Sequence, residues 1–294
     1  MHSIGICLPT FNSLDRLPRA LDSVRQQTVT EWTLAVVHDG PSHGEELIVE
    51  AFARRASQCV TYRDLGHNRG PSAARNLAAT LLRGCPLLAF LDDDDEWSPS
   101  HLETLEKRLQ ETSASWAFSP TRVLDGLSER EVEERRPPSR LFEGDTAACA
   151  RAVFARNFIQ PSAVLIRREV FDEVGGFDEN LRFCEDLDLW FRLFRAGYAP
   201  TWTPVATSTY RRFPDTASSQ TVKMERGRLS VYSKHAHWPT IPPRLFRRRE
   251  SESRLRLGRA LYRSEPATAR TEARHARRLR PFHLPTLLRS LWLR

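Results

Sequence analysis

Cysteine is scarce and scattered in this chain: Cys7, Cys59, Cys85, Cys149 and Cys184 are five in 294 residues, with no C-x-x-C or histidine-paired spacing. An odd, dispersed set argues against a disulfide framework and a structural zinc site, and reads as packing residues in a reducing compartment. No segment approaches the roughly 20 consecutive apolar residues that cross a bilayer. The start, MHSIGICLPTFN, has no basic region leading into a long apolar stretch, so the body is expected to be soluble and cytoplasmic. Glycine is missing from LPTFNSLDR, where a sugar-phosphate nucleotidyltransferase would carry a glycine-rich, basic phosphate loop. Acids are sparse at the other end. From Arg244 to Arg294 arginines crowd the chain, among them Arg247, Arg248, Arg249, Arg277 and Arg278, and the whole sequence carries a net charge of +7. That asymmetry points to an acidic partner for the tail, a membrane surface or a nucleic acid.

What the chain does have is enough apolar residue, 40% of the total, to bury a core in one domain plus an appendage. Ile4 to Leu8, Leu34 to Val37, Val60 to Tyr62 and Leu87 to Leu91 read as strands. Between them Leu14, Leu17, Leu21 and Val24, then Leu47, Ile48, Ala51 and Phe52, then Ala74, Leu77, Ala78 and Leu81 recur at helical spacing. Apolar strands alternating with helices predict a mostly parallel sheet covered on both faces. Such sheets collect ligands at the carboxyl ends of their strands. The unusual polar clusters fall there: Pro9 to Asn12, His38 to Gly40, and Asp92 to Asp95, with NRGPSAARN opening the helix after the third strand. Leu127 to Ser139 reads as an exposed, charged excursion ended by Pro137 and Pro138. Further on, SAVLIR reads as a strand, RREVFDEVGGFDE as a short helix, and EDLDLWFRLFRAG as a helix with Leu187, Trp190, Phe191 and Phe194 on one face.

The run of aspartates has two readings. Helix capping, with Ser98 and Pro99 opening the next helix, accounts for one or two carboxylates. It leaves Asp92 unexplained, along with the repulsion among like charges, about 1 kcal/mol per close pair even in water. A bound Mg2+ or Mn2+ removes that repulsion.

LPTFN, VVHDG, NRGPSAARN, FLDDDDEWSP and GGFDENLRFCEDLDLWFRL, in that order, resemble the family 2 glycosyltransferases of the GT-A fold, from about Ile4 to the region of Ser219. The resemblance implies a Rossmann-like α/β catalytic domain over residues 1–220, followed by a helical, arginine-rich extension over 221–294. It implies an inverting, metal-dependent transferase that moves a sugar from a nucleotide-diphosphate donor to an acceptor hydroxyl. Thr10, Phe11 and Asn12 match the loop along the nucleoside, Asp39 the acid that meets the base, and Arg75 an arginine that helps hold the nucleotide. Asp92 and Asp94 match the Asp-x-Asp pair, with Asp94 touching the metal and Asp92 the metal or ribose. Asp186 matches the catalytic base, and Arg211 falls where a loop closes over the diphosphate. Two positions depart from the pattern: His38 stands where an aspartate is usual, and Phe213 near where a histidine often follows the arginine.

Taken without the resemblance, Asp39 reads as an ordinary turn acid, Arg75 as a solvated helix residue, and Asp186 equally as a complement to a helix N-terminus. The acceptor, whether lipid-linked glycan, polysaccharide or small molecule, is open. In the tail, basic residues beside Leu255, Leu257, Ala260 and Leu261, then Phe282, Leu284, Leu287, Leu288, Leu291, Trp292 and Leu293, suit a helix lying at the inner face of a membrane. They suit equally a helix packed on the catalytic domain with its arginines solvated. Nucleic-acid binding is not expected, because aromatic interleaving is sparse.

Overall fold

The computed structural model describes residues 3–141, 143–214, 220–281, 283 and 286. The first half alternates as its apolar periodicity requires: β1 (Ile4–Thr10), α1 (Leu17–Arg25), β2 (Trp32–His38), α2 (Glu45–Ala53), β3 (Val60–Asp64), α3 (Pro71–Leu81) and β4 (Leu87–Phe90). Then come β5 (Glu96–Trp97), α4 (His101–Glu111), β6 (Trp116–Phe118), β7 (Thr121–Asp125), β8 (Glu131–Arg135) and α5 (Thr146–Ala155). A 3-10 turn at Pro161–Ala163 leads into β9 (Val164–Arg167), α6 (Arg168–Glu173), α7 (Glu185–Arg195), β10 (Thr201–Trp202) and β11 (Ser208–Arg212). The chain continues through α8 (Thr221–Lys234), α9 (Pro243–Leu261) and α10 (Pro266–Leu279).

Among the described residues the main sheet has seven strands in the order β10-β6-β9-β4-β1-β2-β3. β9 runs antiparallel to β4 and β6, and the other pairings are parallel. β1 and β2 are buried along almost their whole length because helices cover both faces. This is the mostly parallel α/β sheet that the resemblance implies. Two expectations shift. Leu14 lies outside α1 and is half-exposed, since Pro18 sets the helix start at Leu17. The charged excursion is not free: β8 lies within it and pairs antiparallel with β7, in a second sheet ordered β5-β11-β7-β8.

The tail helices join the core. Val231, Tyr232, Trp238 and Ile241 belong to the same buried cluster as Phe154 and Phe191. Leu255, Leu257 and Leu261 are buried, and Leu257 and Leu261 pack with Ala269 and Ala273, so these leucines form packing rather than an exposed apolar face. Several arginines are ion-paired, Arg254 with Glu250 and Glu272 at 2.8 Å each and Arg256 with Glu225 at 2.6 Å. Phe282, Leu284, Leu287, Leu288, Leu291, Trp292 and Leu293 lie outside the described residues. Among the described residues no helix is long and apolar enough to cross a membrane.

Where the two sheets meet, His101 is fully buried, stacked on Trp97 with ring centroids 4.6 Å apart and bonded through Nδ1 to the Thr207 hydroxyl at 2.7 Å. Its Nε2 has no hydrogen-bond partner among the described residues, and burial pulls its pKa from 6.5 down to about 3. The unfolded chain therefore takes up a proton that the folded chain refuses. Stability from this group is complete well above pH 6.5 and falls as pH drops toward 3, by about 5 kcal/mol at most. His101→Phe should flatten the fall of melting temperature between pH 6.5 and 4. An unchanged slope would assign the acid lability elsewhere.

Candidate active site

The site lies at the carboxyl ends of β1, β2 and β4. β1 and β2 end in register, Thr10 opposite His38. The next loop turns sharply: Asn12 takes the left-handed conformation at φ 51°, and the Phe11 amide donates to Asp93 Oδ2 at 3.0 Å. Thr10 is buried, whereas the Phe11 ring is 47% exposed, an aromatic face open beside the strand ends. Its other side touches Gly40, where φ is +146° and an added Cβ would sit 3.4 Å from the ring. Next door, His38 is fully buried, with Nδ1 2.9 Å from the Gly40 carbonyl and Nε2 3.5 Å from Glu45. It is held as structure.

Asp39 is 5% exposed and clamps the NRGP turn. Its Oδ1 accepts from the Arg69 and Gly70 amides at 2.6 and 2.9 Å, and its Oδ2 from the Gly70 amide and Asn68 Nδ2, both at 2.9 Å. Three N–H donors make these contacts, the Gly70 amide being shared between both oxygens, and they occupy most of the roughly four lone-pair sites of a carboxylate. Asp39 thus shapes the loop.

After β4 the chain turns tightly, with the Asp95 amide bonding to the Asp92 carbonyl at 3.1 Å. Ser162, in the 3-10 turn, accepts from the Asp92 amide at 3.0 Å and donates to Asp95 Oδ2 at 2.5 Å. Capping fails as an explanation. α4 begins at His101 with no side-chain cap bond, and the aspartates bond instead to Phe11, Arg75 and Ser162. Burial pushes the Asp93 carboxyl up to about 6 and, with Asp93 and Asp92 adding repulsion, the Asp94 carboxyl up to about 8. Carboxylates so crowded and desolvated fit a divalent cation. Among the described residues no three acidic, histidine or cysteine side chains converge as a complete cage.

Arg75 is not solvated. It is 3% exposed and bridges Asp92 Oδ1 at 2.6 Å and Glu185 Oε1 at 2.7 Å, with its guanidinium 5.1 Å from the Phe177 ring centroid. Its hydrogen bonds go to protein acids, so it ties the acidic strand end to the first turn of α7. That turn is set by Cys184, left-handed at φ 60°. Asp186 follows Glu185, accepts from Asn157 Nδ2 at 2.9 Å, and has its pKa raised by burial. Deeper in α7, Asp188 anchors α8 through His235 Nε2 at 2.9 Å and Lys234 Nζ at 2.8 Å.

Asp186 opens into a cavity of about 690 Å³ whose walls include Asn157, Gln160, Arg135, Arg212, Arg228 and Tyr210. Arg211 does not share it. It lies inside β11, 8% exposed, ion-paired with Glu96 at 2.8 Å and Glu129 at 3.0 Å. Two acids pair with it and a strand holds it, where the resemblance implies a loop that closes over the diphosphate. Thr10, Phe11, Asp92, Asp94, Arg75 and Asp186 do converge on one end of the sheet. Sequence reasoning missed Ser162, Asn157 and Arg135; of these only Arg135 left a signal, its place in the charged run EVEER.

The sequence model of Glycosyl transferase family 2 matches residues 5–175. A putative teichuronic acid biosynthesis glycosyltransferase, TuaG, of Bacillus subtilis is 23% identical over 230 residues, 78% of this chain and 86% of that protein. S. aureus TarS 1-349 in complex with UDP-GlcNAc superposes with a TM-score of 0.69 at 17% identity, covering 100% of this chain and 89% of that one. The mannosyltransferase PcManGT of Pyrobaculum calidifontis, in complex with GDP-Man and Mn2+, superposes at 0.64 with 16% identity, covering 98% and 77%.

Proposed function

The chain belongs to glycosyltransferase family 2, and from that premise we propose an inverting enzyme that moves a sugar from a nucleotide-diphosphate donor to an acceptor hydroxyl, in polysaccharide or glycoconjugate assembly. The observation that carries this reading is the Asp92–Arg75–Glu185 bridge, which fixes the acidic strand end against the helix bearing Asp186. A donor held at the first and a base held on the second are what a single in-line displacement needs.

In this reading the nucleoside lies along Thr10 to Asn12, its base against the exposed Phe11 ring. Asp39 keeps the NRGP turn in shape beneath it. Asp94, with Asp92 beside it, would hold Mn2+ or Mg2+, a cation that stabilises the charge gathering on the leaving diphosphate. One or two carboxylates suffice when phosphate oxygens complete the shell. Asp186, oriented by Asn157, takes the proton from the attacking hydroxyl. Residues 1–220 form the catalytic unit, and α8 and α9 of the extension that follows wall its acceptor side, with Arg228 of α8 and Arg256 of α9 on the cavity.

Calorimetric titration of UDP and GDP with and without MnCl2 tests the donor half. Asp94→Ala should weaken manganese-dependent nucleotide binding at least about tenfold, equivalent to losing roughly 1.4 kcal/mol, with an unchanged melting temperature. Undiminished binding in the variant would remove Asp94 from the metal.

A further inference from the structure

Resting on the transferase reading, we propose that the acceptor is an anionic sugar, whose phosphate or carboxylate is received by Arg135, Arg156 and Arg212 at the mouth of the Asp186 cavity.

β8 has a period of two, so Glu133 and Arg135 point to the same side of the strand, and both line the cavity. Arg156 reaches it from the end of α5 and Arg212 from the end of β11. Three guanidinium groups share one carboxylate: Glu133 is bonded to Arg156, lies 3.1 Å from Arg212 Nη2, and is only 4.0 Å from Arg135 Nε. Arg135 has the weakest compensation. Its side chain is 20% exposed, its single ion pair among the described residues is that 4.0 Å contact, and its guanidinium lies 5.2 Å from the Tyr210 ring centroid.

A cation taken this far out of water without a close partner is costly. Burial pulls the Arg135 pKa below the ordinary arginine range, and the charge of Arg212 acts in the same direction against Tyr210, Glu133 and Asp186. An anion seated here would repair that deficit.

The whole cavity has the same bias. Six arginines line it against three acids, Glu133, Asp186 and Glu225, and Glu225 is already bonded by Arg228 and Arg256 at 2.6 Å each. A volume of about 690 Å³ lies within the usual range for small-ligand pockets. Planar guanidiniums in pairs suit phosphate and carboxylate oxygens, which accept two parallel N–H bonds. An acceptor carrying such a group would be drawn in by charge and turned so that its hydroxyl meets Asp186. Asn157 Nδ2 orients the base itself at 2.9 Å.

The test is calorimetric titration of the full chain with glucuronate, with glucose 6-phosphate and with glucose, in the presence of saturating UDP or GDP and MnCl2. We expect both anionic sugars to bind and glucose not to, the tighter one naming the anion. Arg135→Gln should weaken them tenfold or more and Arg135→Lys less, both with wild-type melting temperatures. Equal affinity for all three sugars, or no binding of either anion, overturns the proposal. So does competition between the anionic sugar and the nucleotide, which would assign these arginines to the donor's diphosphate. Nucleotide binding is scored in its own titration: its absence defeats the transferase reading, while its presence without anion binding defeats only this inference.

Discussion

Asp186→Asn should lower turnover about a hundredfold or more, the scale of general-base catalysis, while the affinity for nucleotide diphosphate hardly changes. The asparagine keeps the shape and the Asn157 contact but cannot take a proton. Burial raises the Asp186 pKa above that of an ordinary aspartate, opposed by the Leu187 amide. The carboxylate form needed for catalysis is therefore lost, as pH falls, at a higher pH than an exposed aspartate would give. Turnover in the wild type should show an acidic limb above about pH 4, and that limb should vanish in the variant. Affinity falling in step with turnover would assign Asp186 to binding or to the stability of α7.

The legible parts of this molecule are those where one local pattern had one meaning. Apolar runs such as Ile4 to Leu8 and Leu87 to Leu91 could be satisfied only as strands buried on both faces, and that placed the polar clusters at one sheet end. What stayed hidden depended on partners remote in sequence. Arg75 stood out within its segment, but its bonds to Asp92 and to Glu185, 17 and 110 residues away, are tertiary facts. Asp39 read as an acid that meets a base or as a turn acid, and the three N–H donors that hold it come from residues about 30 positions on. β8 was missed because Glu131 to Arg135 holds a single apolar residue and reads as a solvated run; pairing with β7, not burial, makes it a strand. In the tail, Leu255, Leu257 and Leu261 beside arginine had the composition of an interfacial helix, and only the ion pairs of α9 and its contact with α10 distinguish packing from membrane.

Arg75→Met should destabilise the fold by about 3–5 kcal/mol, the usual consequence of leaving a buried charge without its partner. The guanidinium is 3% exposed and makes the ion pairs to Asp92 at 2.6 Å and Glu185 at 2.7 Å. Methionine fills much of the space and leaves two carboxylates facing each other. Urea unfolding would read the loss, and nucleotide binding should fall with it, because Asp92 would no longer be held at the strand end. The effect is separable from lost packing. Glu185 is 8% exposed, and its pKa is raised by burial while Arg75 pulls it down; without the arginine, that carboxylate becomes the strained group. Arg75→Met combined with Glu185→Gln should therefore recover part of the stability that the single change loses, a coupling that a double-mutant cycle measures directly. Costs that simply add would show that the two side chains act independently and that the bridge does not hold the site together.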